Sequence, residues 1–189
     1  MGLRGHELVF GYGSLAALAD GVAPSRSPRA EGFVSDLRGY RRQWGVAMDN
    51  RRDLPGYKHY TDADGRRPPI FVCFLDIEAD RRGSVNGLCV PVDDGRLAAL
   101  DVRERNYDRI DVSERVDAGG ARVWAYVGSR AARLRMRWAV AAHLAVIDAR
   151  YLDTVADGFR ALGEGELKRC APSLQPGLLP VLALTRHDH

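Results

Sequence analysis

The chain has 189 residues, 46% hydrophobic and 28% charged, an ordinary balance for a soluble protein and enough length for one sizeable core, so one domain over 1–189 is expected. A formal charge of +3, from 28 basic and 25 acidic residues, is too balanced to imply a polyanionic partner. The longest apolar run, Trp138 to Ile147, is broken by His143 and falls short of the roughly 20 residues of a membrane helix, which argues against a membrane protein.

In chain order, Met1 to Glu7 carries one arginine and no apolar signal segment, so the expected compartment is the cytoplasm. Glu7 to Phe10 reads as a short strand that stops at Gly11-Tyr12-Gly13-Ser14, a glycine-bearing turn, and Leu15 to Leu18 favours one turn of helix. From Ala30 to Met48 apolar and aromatic residues recur with strand spacing around Gly39, as two strands or one bent strand. Asp49 to Pro69 is polar and rich in turn formers, which predicts a long surface loop that could close over a site as a lid.

Ile70 to Ile77 is apolar on both faces and reads as a covered strand, with Ser84 to Val92 as its antiparallel neighbour. Asp93-Asp94-Gly95 offers an N-cap to a helix on which Leu97, Leu100 and Glu104 share a face. Arg109 to Val116 and Arg122 to Val127, joined through Ala118-Gly119-Gly120, predict a hairpin. Leu144, Ile147, Tyr151, Val155, Phe159 and Leu162 then step by three or four as a helix that Gly163 ends, and Pro172 to Thr185 has room for an edge strand. Six or seven strands without a βαβ alternation predict an α+β domain with a mostly antiparallel sheet, closed as a small barrel with flanking helices.

Cys73, Cys89 and Cys170 are odd in number and widely spaced, and no two histidines stand at i, i+4, so neither disulfides nor a metal is expected. Lysine occurs only at Lys58 and Lys168, so nearly all the basic residues are arginine. The cluster Arg130, Arg133, Arg135 and Arg137 with Trp138 is better explained as a solvated face than as a nucleic-acid surface.

The Gly11 to Ser14 turn lacks the third glycine of GxGxxG, the lysine of a P-loop and the flanking glycines of GxSxG. It is either a tight turn capped by Ser14 or a cradle of backbone N–H groups for an anion or carbonyl oxygen. Glu104 is anomalous on an apolar helix face. It either faces a cavity, where desolvation would raise its pKa, or sits at a solvated helix end paired with an arginine. Tyr126 and Tyr151 are candidates for a polar rim, and Arg109 or the pair Arg41-Arg42 for holding a substrate carboxylate.

Val9-Phe10-Gly11-Tyr12-Gly13-Ser14-Leu15 resembles the YGSL signature of the γ-glutamylcyclotransferase superfamily, which includes ChaC-type and AIG2-like proteins. Leu100 to Glu104, followed by Tyr107, Arg109 and Val112, resembles its glutamate-bearing helix and following strand, and Gly39 to Trp44 and Val85 to Val90 are weaker matches. The spacing after Glu104 is closer to small bacterial and AIG2-like members than to ChaC, so glutathione specificity does not follow from the resemblance. The resemblance implies an antiparallel barrel with a cavity at one end. It also implies conversion of a γ-glutamyl amine or peptide to 5-oxoproline and a free amine, without metal or cofactor. Glu104 would be the general acid/base, and Tyr12, Gly13, Ser14, Leu15, Tyr126, Tyr151 and Arg109 would bind substrate. Two alternatives are an enzyme acting on a γ-glutamyl group carried by a larger metabolite or carrier, and a catalytically silent small-molecule-binding protein.

Overall fold

The computed structural model describes residues 7–19, 32–52 and 57–188. Its frame is a ribbon of two long antiparallel strands, β2 (Phe33–Asp49) and the strand that becomes β4 (Phe71–Val92), paired from Phe33 opposite Cys89 to Asp49 opposite Phe71. Of the two readings of 30–48, the bent strand holds from Phe33 on: the register shifts between Arg38 and Tyr40, where Gly39 takes a φ of 81° that a β-carbon would oppose. The expected pairing of 70–77 with 84–92 does not. Both segments belong to the single strand β4, and each pairs with β2. The polar residues between them continue the ribbon into solvent, because an antiparallel ladder satisfies its own backbone and needs no cover.

β1 (Glu7–Gly11) lies between β4, which it meets antiparallel, and β6 (Arg122–Gly128), which it meets parallel. β5 (Tyr107–Asp111) forms the expected hairpin with β6, although the chain turns through Ser113–Arg115 where the strand was expected to continue. β7 (Ala145–Asp148) runs parallel to the start of β4, and the short edge strand β8 (Val181–Leu182) runs parallel to β7. The sheet is therefore mixed, with seven strands in the order β5-β6-β1-β4-β7-β8 and β2 on the other edge of β4. Among the described residues no ladder closes it into the expected barrel.

Four helices surround it: α1 (Asp94–Arg103), α2 (Arg130–Ala141), α3 (Ala149–Ala161) and α4 (Glu164–Leu174). Asp93 caps α1 as expected, accepting the Arg96 N–H at 2.7 Å. The expected single helix from Leu144 is corrected: Leu144 to Asp148 enters the sheet, and α3 starts only where Asp148 caps it. The basic cluster proves to be helix α2, and two of its arginines turn inward, Arg133 to Asp76 and Arg135 to Asn106. None of the described helices is long and apolar enough to cross a membrane.

The expected surface loop 49–69 is also corrected. His59–Thr61 forms a strand, β3, that pairs antiparallel with the C-terminal strand β9 (Thr185–His187). Asn50 and Tyr60 are buried, and the Asn50 side chain accepts the Tyr60 N–H and donates to the carbonyls of Tyr60 and Pro68. The segment is thus an anchored arm. Pro55 and Gly56, which suggested the loop, lie outside the described residues.

Candidate active site

The site arises from a gap in the sheet. On the edge of β4 that faces away from β2, β7 pairs with Phe71 and Val72 and β1 pairs with Leu88 to Val92, so among the described residues the stretch between has no partner strand. Its buried backbone groups still require hydrogen bonds. Side chains supply several of them: the Leu75 N–H donates to the Tyr151 hydroxyl at 3.3 Å, Tyr107 Oη donates to the Leu75 carbonyl at 2.7 Å, and Arg133 donates to the Ile77 carbonyl at 2.9 Å.

β1 ends at Gly11 beside this gap, and Tyr12 to Leu15 leaves the sheet there to start a short 3-10 turn (Ser14–Ala19). The close approach requires glycine at 11, where a β-carbon would stand 2.8 Å from the Leu15 carbonyl carbon. A small cavity of about 290 Å³, its mouth included, opens between this turn, Leu75 and Glu104. Tyr12, Tyr107, Tyr126 and Tyr151 wall it, so every polar side chain around it except Ser14 and Glu104 is a tyrosine.

The tyrosines are rigidly held. Tyr12 Oη donates to the Tyr126 carbonyl at 2.5 Å, and Tyr126 Oη donates to Asp101 at 2.8 Å. Tyr151 packs edge-on against Phe74 and Trp44. Burial raises the pKa of all four hydroxyls, and the negative charge of Glu104 adds to the shift. They remain neutral donors at any physiological pH.

Glu104 combines its two expected alternatives. The helix does end at Arg103, and Glu104 caps it, its N–H bonded to the Leu100 carbonyl at 2.8 Å. Because the chain leaves helical geometry there, Arg103 approaches its carboxylate at 3.3 Å, closer than adjacent positions inside a helix would permit. The carboxylate nevertheless lines the cavity, with only 15% of its side chain exposed. Burial raises its pKa, and Arg103, Lys58 and Arg186 partly oppose the shift.

Lys58 is the least expected neighbour. It precedes β3, with its ammonium 4.2 Å from the Phe74 ring centroid, and burial together with Arg186 lowers its pKa to about 8 while Glu104 opposes the shift. Lys58→Met removes a positive charge beside Glu104. The Glu104 carboxyl, followed by NMR, should then titrate at higher pH than in the parent, and an unchanged midpoint would show that the two groups are not coupled.

Of the residues expected at a site, Tyr12, Gly13, Ser14, Leu15, Glu104, Tyr126 and Tyr151 converge on this cavity. Arg109 does not. It pairs with Asp101 at 3.2 Å and stacks on Trp124, reaching the cavity only through the Asp101 to Tyr126 hydrogen bond. Arg41 pairs with Glu78 in solvent, while Arg42 lies partly buried over Phe159 and is bonded to Asn86 and Ser173. Tyr107 and Leu75 line the cavity as well but were not expected at a site. Tyr107 carried a usable signal, an aromatic three residues after the anomalous glutamate, whereas Leu75 reads like any core strand residue. Among the described residues no group of three His, Cys, Asp or Glu side chains is placed to hold a metal ion.

No protein-family profile matches the chain, and no curated protein matches it in sequence. Its fold is shared with solved structures. A structure described as a γ-glutamyl cyclotransferase aligns over 87% of this chain and 85% of its own, with a TM-score of 0.51 and 14% identity. An uncharacterised human protein aligns over the same shares with a TM-score of 0.50 and 16% identity. YkqA from Bacillus subtilis aligns over 94% of this chain with a TM-score of 0.53 and 15% identity, and this chain spans 56% of its length. The fold is that of γ-glutamyl cyclotransferase.

Proposed function

We propose that the chain is a γ-glutamylcyclotransferase-like enzyme that converts a γ-glutamyl amine or peptide to 5-oxoproline and the free amine, with Glu104 as general acid/base. The observation that supports this best is a single carboxylate facing a narrow, tyrosine-walled cavity, opposite the start of a short 3-10 turn. Such a site suits a reaction in which the substrate supplies its own nucleophile. The α-ammonium loses one proton to solvent, the amine attacks the γ-carbonyl carbon, and a five-membered ring closes as Glu104 takes the second proton from the ring nitrogen. The C–N bond to the leaving group then breaks as Glu104 returns the proton to the departing nitrogen.

The protein's part is to fold the substrate and to move one proton. Tyr12 to Leu15 would hold the γ-glutamyl portion, with backbone N–H groups on its carboxylate or on the developing oxyanion. Tyr151 accepts from Leu75 and has its own proton left to donate, and Tyr126 would close the rim. A raised pKa places Glu104 nearer the working pH than an ordinary carboxyl, which favours proton exchange in both directions. The test is incubation with γ-glutamyl amines, dipeptides and glutathione while 5-oxoproline is measured. Its absence throughout would refute the reading.

Gly13 gives a second test. A β-carbon there would meet the Tyr151 hydroxyl at 3.3 Å, on the cavity side of the turn. Gly13→Val should therefore weaken binding of a γ-glutamyl ligand by about tenfold or more, since overpacking a fitted site costs about 1–3 kcal/mol. Ser14→Ala, which keeps the backbone N–H, should bind within a few-fold of the parent. Calorimetry distinguishes the two, and parental affinity in Gly13→Val would reduce the turn to a structural role.

A further inference from the structure

Large apolar side chains that stand in solvent are concentrated in two segments: Leu134, Trp138 and Val140 belong to α2, and Leu178, Val181 and Leu182 to the chain around β8. Both segments lie on one face of the sheet, because Met136 and Ala139 of α2 and the side chain of Leu179 pack on a single cluster with Phe71, Cys73 and Ile147. Exposed apolar residues gathered in this way mark an interaction surface, whereas a scattered leucine does not.

The outer side of α2 has its own pattern. Ala132, Met136 and Ala139 fill the buried side, while Arg130, Leu134, Arg137 and Ala141, spaced by three or four, run along the opposite one with Trp138 next to them. Leu134 and Trp138 are each 51% exposed. Trp138 rests edge-on against Phe71 at 5.2 Å, and the Arg51 guanidinium lies 5.7 Å from its ring centroid. On the same face a turn, closed by the Leu179 N–H donating to the Pro176 carbonyl at 3.1 Å, lifts Leu178 wholly into solvent.

The charge here has one sign. Helix α2 contains four arginines and no acidic residue. The carboxylates around it are engaged: Asp76 holds Arg133, Glu78 holds Arg41, and Asp49 is shared by Arg51 and Arg52. Arg130 and Arg137 make no ion pair among the described residues. A second copy docked on this crest about a twofold axis would set these arginines against their own counterparts. A nucleic acid would use the arginines and leave the leucines without a partner. An anionic bilayer uses both, since apolar groups enter the headgroup boundary while guanidiniums stay with the phosphates, and it asks for no matching groove.

We propose that α2 and the turn at 176–180 seat the protein on an anionic phospholipid surface, with Leu134, Trp138 and Leu178 entering the headgroup region and Arg130 and Arg137 against the lipid phosphates. No spanning helix is involved, and the inference is independent of the reaction proposed above.

The experiment is sedimentation of the full chain with large vesicles of phosphatidylcholine alone and of an equal mixture of phosphatidylcholine and phosphatidylglycerol. The parent should bind the mixed vesicles and leave the neutral ones, and its affinity should fall as salt is raised. Arg130→Gln with Arg137→Gln should weaken binding about tenfold or more, as should Leu134→Ser with Leu178→Ser. All four side chains are exposed, so both double variants should melt near the parent. Tryptophan fluorescence should shift to the blue on the mixed vesicles, and Trp138→Phe, which keeps an aromatic ring on Phe71, should lose the shift although Trp44 and Trp124 remain. No sedimentation with the mixed vesicles, equal sedimentation with the neutral ones, parental binding by either double variant, or a shift that persists in Trp138→Phe overturns the proposal. A dimer of the parent in solution that Leu134→Ser with Leu178→Ser dissociates assigns the face to a second copy and overturns it as well.

Discussion

Glu104→Gln is expected to lower turnover of a γ-glutamyl substrate by about 10²–10⁴, the range for loss of a positioned acid/base, while binding stays within a few-fold. Glutamine keeps the size of the side chain and its hydrogen bonds but cannot carry a proton. Stability provides the control. Burial raises the Glu104 pKa above its unfolded value, so its contribution to stability is fully present below the unfolded pKa and is lost as pH rises through the folded one. At neutral pH the buried charge is a cost that Arg103 offsets only in part, so Glu104→Gln should melt at the same temperature as the parent or higher. The difference should shrink as pH falls and the parent carboxyl becomes protonated. Near-parental 5-oxoproline production by a folded Glu104→Gln variant would refute the role and direct attention to Asp101, the carboxylate bonded to Tyr126.

Arg133→Met should have the largest effect on stability. Asp76, in the middle of β4, has no exposed surface, and its carboxylate is held by Arg133 Nε at 2.7 Å and by the N–H groups of Gly128 and Ile77 at 2.6 and 2.8 Å. Removing one partner of a buried pair costs about 3–5 kcal/mol, because the remaining charge stays desolvated. The two backbone donors persist and Arg133 is partly exposed, so a loss near 3 kcal/mol is expected, or about 6–12 °C in melting temperature for a chain of this size. Replacing both partners, Asp76→Leu with Arg133→Met, should recover much of the loss. Equal melting of Arg133→Met and parent would show that water already reaches Asp76.

These two residues also show what the sequence could and could not convey. Glu104 stood out because a charge broke an apolar helix face, and the glycines of the Tyr12 turn stood out because they punctuate the end of an apolar strand. Local features of that kind survive in a one-dimensional reading. Asp76 did not stand out, because its partner is 57 positions away and a lone aspartate in a strand has the look of a solvated one. Helix α2 was hidden for another reason. Its buried face is built from Ala132, Met136 and Ala139, while Leu134 and Trp138 face outward, so the large apolar residues mark the wrong side. Leu144 and Ile147 fell by chance into the rhythm of α3, although the carboxylate of Asp148 caps the helix after them. The β3 and β9 pairing joins polar segments more than a hundred residues apart, where hydropathy carries no trace of a partner.

The position of β1 has a consequence for the order in which the protein is made. Leu8, Val9 and Phe10 leave the ribosome before either partner: the antiparallel one, Leu88 to Val92, follows some eighty residues later and the parallel one, Arg122 to Trp124, later still. The β2 and β4 ribbon pairs segments closer in sequence, so it can assemble while β1 waits. During that interval a short apolar strand has both edges open, the condition under which nascent chains join one another. Synthesis at low temperature or with a holding chaperone acts on this interval, before the cavity exists.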